Sequence, residues 1–548
     1  MKKVLPEEIL NILNKKKLQL IFLFYILLIL PILCPIAQNL DFWHVVLIIV
    51  VNGILFISLA LLSLFCSSKA EKIISTVILI VSIIPSAIFL SYLLFARVML
   101  ETYSITSLFE TNPDESKEFL TDYLSIWVII AVLIYVAIPA VMIWKMKAFK
   151  PLKIKGHKVL FSVPFILLIL IFAGQKLSQS VYIFSFYKTF CTYKLRLGYE
   201  EKTISSRHTI SYPVEIANTD SIPQTIVVVI GESLTRNHMS LYGYPRQTNP
   251  LLSKRKDKLY VYEDVTPPQV HTIPVVRTLF TMMDEENPDY FTEKPSVFEL
   301  FNRAGYDTYF MSNQPFGGKF RTSYDVLLDI AKNRYQLSQK KQHDEVILPT
   351  LKEILENKDN SSKNKLIIIQ LLGSHMAYKK RYPENFKLFD HTKDGLVANA
   401  EYRDQEAKNM IDEYDNSVAY NDFVINSIID NLEQKGGEKS VLIYFSDHGE
   451  ELYDKRKFAG HAYEKVSRYM CQIPFMVWVS DKYKETNPEI VFNTKLPYST
   501  TGFIYGLSDV AGLRYMDYDA EKSMFSPQFK PETRYIGKLT YEEVLERE

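Results

Sequence analysis

The chain is poor in cysteine. Its four, Cys34, Cys66, Cys191 and Cys471, are spread over 548 residues. Two lie in apolar runs and the other two form no C-x-x-C pair, which argues against a thiolate metal site. Cys191 and Cys471 leave one disulfide as the most the polar part could form. Net charge is also lacking: 63 Lys and Arg stand against 62 Asp and Glu, for +1 overall. That balance argues against a partner such as nucleic acid. The long apolar runs of the first third hold no charge pairs, which favours an anchor over a transporter. The length is too great for one ordinary domain.

What is present divides the chain in two. Five apolar runs, at about 18–37, 43–66, 73–96, 123–144 and 159–175, approach or reach the roughly 20 residues needed to cross a bilayer. A cleaved leader fits poorly, because the first run is long and further runs follow. The N-terminus is basic, the 67–72 loop has Lys69 and Lys72, and the fourth connection carries Lys145, Lys147, Lys150, Lys153, Lys155 and Lys158. These alternate onto one side, expected to be cytoplasmic. The acidic 97–122 loop and everything after about 176 then fall outside, in the periplasm of a diderm bacterium. The expected organisation is a five-span anchor over 1–175, a segment over 176–222 that is either an interfacial helix or a plain tether, and a soluble domain over 223–548.

The soluble part reads as strands alternating with helices. Strands are expected at 225–230, 306–313, 365–375, 441–445 and 473–480. Helices are expected at 295–305, with Gly305 as its stop, and over 408–434. Such alternation predicts a mostly parallel sheet with helices on both faces. Polar residues fall where such a sheet places ligands, beyond the carboxyl ends of strands. Glu232 follows the first strand, His375 the third, and Asp447 with His448 the strand VLIYF. Taken singly, each has an ordinary explanation as a helix cap or a loop residue. Three strands ending in four such metal-ligand or acid/base groups is a stronger pattern, and carboxylate with imidazole suits zinc.

Carboxylate-rich metal sites that act on phosphate or sulfate esters often include a hydroxyl nucleophile. Thr266, Thr272, Thr278 and Thr281 are the candidates between 259 and 281. Thr272 is preferred, because it precedes a helix-like run with Pro274 in its first turn, and a helix N-terminus suits a phosphoryl group. Thr266 precedes two prolines and reads as a turn. His461, in the polar loop AGHAYE, is a candidate to return to the site as a general acid or ligand.

Several stretches together resemble the membrane-bound phosphoethanolamine transferases of the alkaline phosphatase/sulfatase superfamily. They are SLFETNPDESKEF (107–119), VVVIGESLTRNHMSLYGYPRQTNP (227–250), LLGSHMAYKKRYPENF (371–386), YFSDHGEELYD (444–454) and SPQFKPETRYIG (526–537). SLYGYPR, RYPENF and the tail are most similar to the branch that modifies the lipopolysaccharide core. The resemblance implies a sulfatase-like periplasmic domain on an inner-membrane anchor. It implies zinc held by Glu232, Thr272, Asp447 and His448, with Thr272 as nucleophile and His375 and His461 handling protons. Asn313 is a weaker match to a substrate-contacting asparagine. Glu110, Asn112 and Glu115 fall in the outer membrane-loop motif near the lipid site. The implied reaction moves phosphoethanolamine from phosphatidylethanolamine to a lipopolysaccharide or other envelope glycan. The chain departs from the pattern in its few cysteines and in VHTIPVV around Thr272, which does not copy the small-residue run of the lipid A branch. Rival readings are a phosphoglycerol transferase or sulfatase, and a non-catalytic membrane receptor. The intact set of ligand positions argues against the receptor.

Overall fold

The structure is a computed structural model that describes residues 14, 16–38, 42–63, 68–96, 100, 102–111, 113–146, 181–207, 211–217, 221–317, 321–338, 343–357, 362–394 and 404–548. It divides into two compact units. One comprises Met1–Phe109 with Lys117–Leu195, the other Glu110–Ser116 with Arg196–Glu548.

The first unit is helical. Helices α1 (Lys17–Gln38), α2 (Phe42–Ser63), α3 (Ser68–Ala96) and α6 (Ile126–Lys145) cover the first four apolar runs. Two short helices, α4 (Thr102–Glu110) and α5 (Pro113–Glu118), occupy the loop between α3 and α6. Two stretches, Lys69–Phe95 and Ile126–Lys145, are long and apolar enough to cross a membrane. The fifth run lies outside the described residues. Lys16 Nζ meets Glu71 Oε1 at 3.2 Å, with both side chains buried, so the segment before α1 and the start of α3 share one end of the unit. The 176–222 stretch is dominated by a 25-residue helix, α7 (Tyr182–Ser206), which runs from one unit into the other.

The second unit is built on a seven-stranded sheet. In chain order its strands are β1 (Gln224–Gly231), β2 (Leu259–Val261), β3 (Asp307–Ser312), β4 (Asn333–Gln336), β5 (Lys365–Gln370), β6 (Lys439–Ser446) and β7 (Phe475–Val479). Their order across the sheet is β2-β7-β6-β1-β5-β3-β4. β1 is central, and every residue of it is buried, as expected for a strand covered on both faces. Its side chains alternate: Ile226, Val228 and Ile230 join one core, Val227 and Val229 the other. The first core is closed by α8 (Thr272–Leu279), α9 (Val297–Arg303) and α12 (Phe503–Ala511). The second is closed by α10 (Ile347–Glu356) and the long α11 (Gln405–Lys435). The starts of α9 and α11 are set locally: Ser296 and Glu299 form a reciprocal cap, and the Asp404 side chain accepts from the Ala407 N–H.

The sheet is mixed rather than uniformly parallel. Strands β6, β1, β5, β3 and β4 run parallel, but the predicted strand at 473–480 pairs antiparallel to β6. The reason is the connection. The loop after β6 turns back over the carboxyl edge it left, and Phe475 comes down opposite Phe445. The strand predicted over 365–375 also ends early, at Gln370, so His375 lies in a turn beyond it rather than directly on the strand end.

Candidate active site

The carboxyl edge of β1 and β6 assembles the centre. Their parallel register sets Gly231 beside Ser446, so the next residues, Glu232 and Asp447, are neighbours. The Asp447 N–H donates to Gly231 O at 3.1 Å. Asp447 Oδ1 accepts from the N–H groups of Ser233 at 3.0 Å and His448 at 2.7 Å. Ser233 itself has φ 56°, a left-handed backbone carried directly after Glu232. His448 Nε2 lies 3.4 Å from both Glu232 Oε1 and Asp447 Oδ2. Its Nδ1 is 2.9 Å from Gly449 O, which keeps a proton on Nδ1, so that a cation displacing the Nε2 proton would meet a lone pair facing the carboxylates.

These three groups fit a divalent cation. Asp447 Oδ2 and His448 Nε2 are buried and make no hydrogen bond among the described residues. One ligand atom from each of Glu232, Asp447 and His448 lies within 4.8 Å of the others. Burial, then the Glu232 charge, push the Asp447 carboxyl up to about 8. Burial would raise Glu232 too, but the His448 ring, 3.4 Å away, holds it well below the usual carboxylate range. Burial would lower His448, yet Asp447 and then Glu232 lift it to about 10. Two buried carboxylates thus compete for one positive charge, the condition a metal ion relieves.

Thr272 joins them. It is the first residue of α8, and its Oγ1 donates toward Glu232 Oε2 at 3.1 Å and Oε1 at 3.2 Å. Thr266, by contrast, lies in a two-residue strand paired with Tyr498–Ser499. His461 also returns to the centre. Its ring is 4.1 Å from that of His448, and its Nδ1 lies 2.7 Å from Glu450 Oε2. Tyr378 donates to the other Glu450 oxygen at 2.5 Å. Burial pushes Glu450 up to about 7 and holds His461 well below the ordinary histidine range.

His375 is placed by its turn. Gly373 (φ +55°) lets this turn press on the β1 end, where a Cβ would stand 2.8 Å from both Glu232 N and O. The Ser374 N–H donates to Glu232 O at 2.9 Å, and Arg381 Nε to His375 O at 3.0 Å. His375 Nδ1 is buried with no hydrogen bond among the described residues, and burial lowers the ring to about 4. Asn313 donates from Nδ2 to Asp344 Oδ1 at 2.9 Å, and Asp344 also accepts from the N–H groups of Leu372 and Gly373. Asn313 therefore braces the His375 turn. Its neighbour Gln314 is the side chain that reaches the centre, donating to Glu232 Oε2 at 3.0 Å and Leu371 O at 2.7 Å.

Three residues of the centre escaped the sequence reading: Gln314, Glu450 and His271. Glu450 had a readable signal, two residues past His448 across a glycine whose Cβ would collide with Tyr469 O. Gln314 and His271 had none beyond adjacency to Asn313 and Thr272. In the outer-loop motif, Glu110 belongs to the same unit as the sheet. Burial pushes it up to about 8 against the charge of Arg277, five residues along α8 from Thr272. Arg277 forks onto Glu200 at 2.7 and 2.8 Å. Asn112 lies outside the described residues; Glu115 falls in α5.

A small hairpin ties two site loops together. Strands Tyr535–Ile536 and Leu539–Thr540 pair antiparallel. At their turn the Gly537 N–H donates to Pro268 O at 2.7 Å, on the segment leading to Thr272. The Lys538 N–H donates to the Tyr463 hydroxyl at 3.0 Å, two residues past His461.

A sulfatase family model matches residues 224–513, and a model described as phosphoethanolamine transferase EptA/EptB matches 54–191. The chain is 31% identical to phosphoethanolamine transferase EptC of Escherichia coli, covering 89% of this chain and 88% of the relative. It is 30% identical to phosphoethanolamine transferase CptA of Salmonella typhimurium, over 89% and 88%. The periplasmic domain of E. coli EptC, solved in complex with Zn, superposes with TM-score 0.56 at 35% identity, over 60% of this chain and 92% of that one. The integral-membrane lipooligosaccharide phosphoethanolamine transferase A of Neisseria meningitidis shares the fold, helical region included, with TM-score 0.67 at 19% identity over 94% and 99%.

Proposed function

The chain belongs to the phosphoethanolamine transferases of the alkaline phosphatase/sulfatase superfamily, and from that premise we propose that it transfers phosphoethanolamine from phosphatidylethanolamine to lipopolysaccharide through Thr272. The observation that carries the reading is the Thr272 hydroxyl at 3.1 and 3.2 Å from the Glu232 carboxylate, beside Asp447 and His448 atoms that make no hydrogen bond among the described residues. Glu232, Asp447, His448 and Thr272 would hold zinc, as the Zn complex of E. coli EptC suggests. Zinc, when bound, lowers the pKa of a ligating hydroxyl and neutralises phosphoryl charge.

The residues divide the work. Thr272 Oγ1 gives up its proton to a neighbouring histidine and attacks phosphorus, the bond from phosphorus to the glyceryl oxygen breaks, and diacylglycerol leaves with that proton. His461, held at Nδ1 by Glu450, and His375, whose Nδ1 makes no hydrogen bond among the described residues, are placed to take that proton from Thr272 and pass it on. An acceptor hydroxyl or phosphate oxygen, in core or lipid A, then attacks the phosphothreonine, and Thr272 departs reprotonated. Gln314 and the Gly373 turn fix the Glu232 carboxylate, so geometry is set before substrate arrives. The sequence-based organisation fits this chemistry: five inner-membrane spans over 1–175, a connecting segment over 176–222 and a periplasmic domain over 223–548 would keep the centre beside a donor that never leaves the bilayer. Glu110, Asn112 and Glu115 would approach that lipid.

Intact-mass spectrometry after incubation with zinc and phosphatidylethanolamine tests the reading. Wild type should gain one phosphoethanolamine on Thr272, and Thr272→Ala should gain none. An adduct that persists in the variant would move the nucleophile. Phosphoglycerol acquired from phosphatidylglycerol instead would overturn the donor.

A further inference from the structure

His271 stands at the centre with no task in the reaction as described so far. It precedes Thr272 as the N-cap of α8, in extended backbone (φ −135°, ψ 139°), and its side chain makes no cap hydrogen bond. Its Nε2 is buried and has no hydrogen-bond partner among the described residues. The ring meets His461 edge to face at 5.4 Å, and His461 in turn lies against His448.

Most other buried histidines of this domain are held by the protein, although His375, in the same centre, also leaves a ring nitrogen without a hydrogen bond among the described residues. His238 is on Asp415, His391 on Asp412, His448 on Gly449 O and His461 on Glu450. A buried polar nitrogen left without a partner costs about 1–3 kcal/mol. Folds rarely keep one unless a ligand completes it. The next residue along the chain, Thr272, presents its Oγ1 to the same centre, at Glu232.

We propose that His271 binds the phosphoryl group carried on Thr272, donating its ring Nε2–H to a non-bridging phosphoryl oxygen. This rests on the phosphothreonine reading above. It makes His271 a fourth imidazole of the site, specific to a phosphate ester on the neighbouring residue. The residue would tighten on the transferring group as charge gathers on its oxygens, the behaviour of an oxyanion donor.

Two variants of the full-length protein test it. His271→Phe keeps a flat ring and removes the N–H; His271→Gln keeps an N–H donor. Zinc per chain is measured by elemental analysis, and formation and decay of the phosphoethanolamine adduct by intact mass with phosphatidylethanolamine vesicles. The expected result is unchanged zinc content in both. Adduct turnover should fall about 10²–10³-fold in the Phe variant, with His271→Gln recovering at least a tenth of wild type. Loss of zinc in either variant, or wild-type turnover in His271→Phe, overturns the assignment. If wild type itself forms no adduct while holding zinc, the phosphothreonine reading falls, and His271 with it.

Discussion

Gly373→Ala is the sharpest test of how the fold supports the centre. The residue has φ +55°, and an added Cβ would stand 2.8 Å from both Glu232 N and O and 3.0 Å from Glu232 Cβ. The left-handed backbone costs alanine about 1–2 kcal/mol. Overpacking against main chain that cannot rotate away adds about 1–3 kcal/mol. Together these amount to about 2–5 kcal/mol. For a domain of roughly 300 residues, unfolding entropy near 2.1 cal/mol/K per residue makes this a fall in Tm of about 3–8 °C. The displaced atoms belong to Glu232, so zinc affinity should fall as well, by about 10–100-fold, as when a ligand's supporting contact is lost. Gly305→Ala is the control. Its φ is +83°, but nothing lies within 4 Å of the added methyl. It should show only the backbone cost of about 1–2 kcal/mol, with zinc affinity untouched. Thermal melts and a competitive zinc titration on both variants decide the matter. Equal losses in the two, or wild-type zinc affinity in Gly373→Ala, would refute the claim that this turn sets the Glu232 position.

Gln314→Leu removes the donor to Glu232 Oε2 and should weaken zinc binding about 10-fold or more, read by the same titration. Arg277→Met leaves the buried Glu200 with Arg196 alone, without its forked partner, and should cost about 1–3 kcal/mol in a denaturant melt; Arg277→Lys cannot restore the two-pronged contact. Burial would lower His238, but Asp415 lifts it to about 9, above its unfolded value. Its contribution is therefore complete below about pH 6.5 and declines as pH rises through about 9, by up to about 1.4 kcal/mol per unit. Melts across that range should show the slope, and His238→Gln should flatten it. Gly537→Ala would set a methyl 2.5 Å from Gln269 Nε2 and from Tyr463 Cε2. It should lower kcat about 100-fold through misplacement of Thr272 and His461, with zinc content unchanged.

What could be read in advance follows from where information sits in the chain. Apolar runs with fixed ends announced β1, β5 and β6, because a strand buried on both faces must be apolar throughout. The candidate ligands Glu232, Asp447 and His448 were legible because they sit at those ends. The direction of β7 was not, since it depends on a loop that doubles back across one edge. His375 was found, but for an incomplete reason: its position comes from Gly373 packing on Glu232, a contact between distant segments. Gln314 and His271 owe their places to the tertiary fold, and no local pattern marks a residue whose partner lies on another strand. The Asp390, His391 and Asp412 group shows the converse error a pattern search invites. It has ligand-like composition, yet Arg246 donates to Asp412 at 2.7 Å and already supplies the positive charge.

The hairpin at 535–540 has a consequence for biosynthesis. It clasps the loops that deliver Thr272 and His461, yet it is made long after both. A chain emerging from a ribosome and crossing a membrane in sequence order would expose β1, Thr272, the β6 end and His461 before the clasp exists. Those segments could fold around the sheet, but their two loops would remain unlatched until residue 537 had passed. Closure of the site would then be the last step in its assembly.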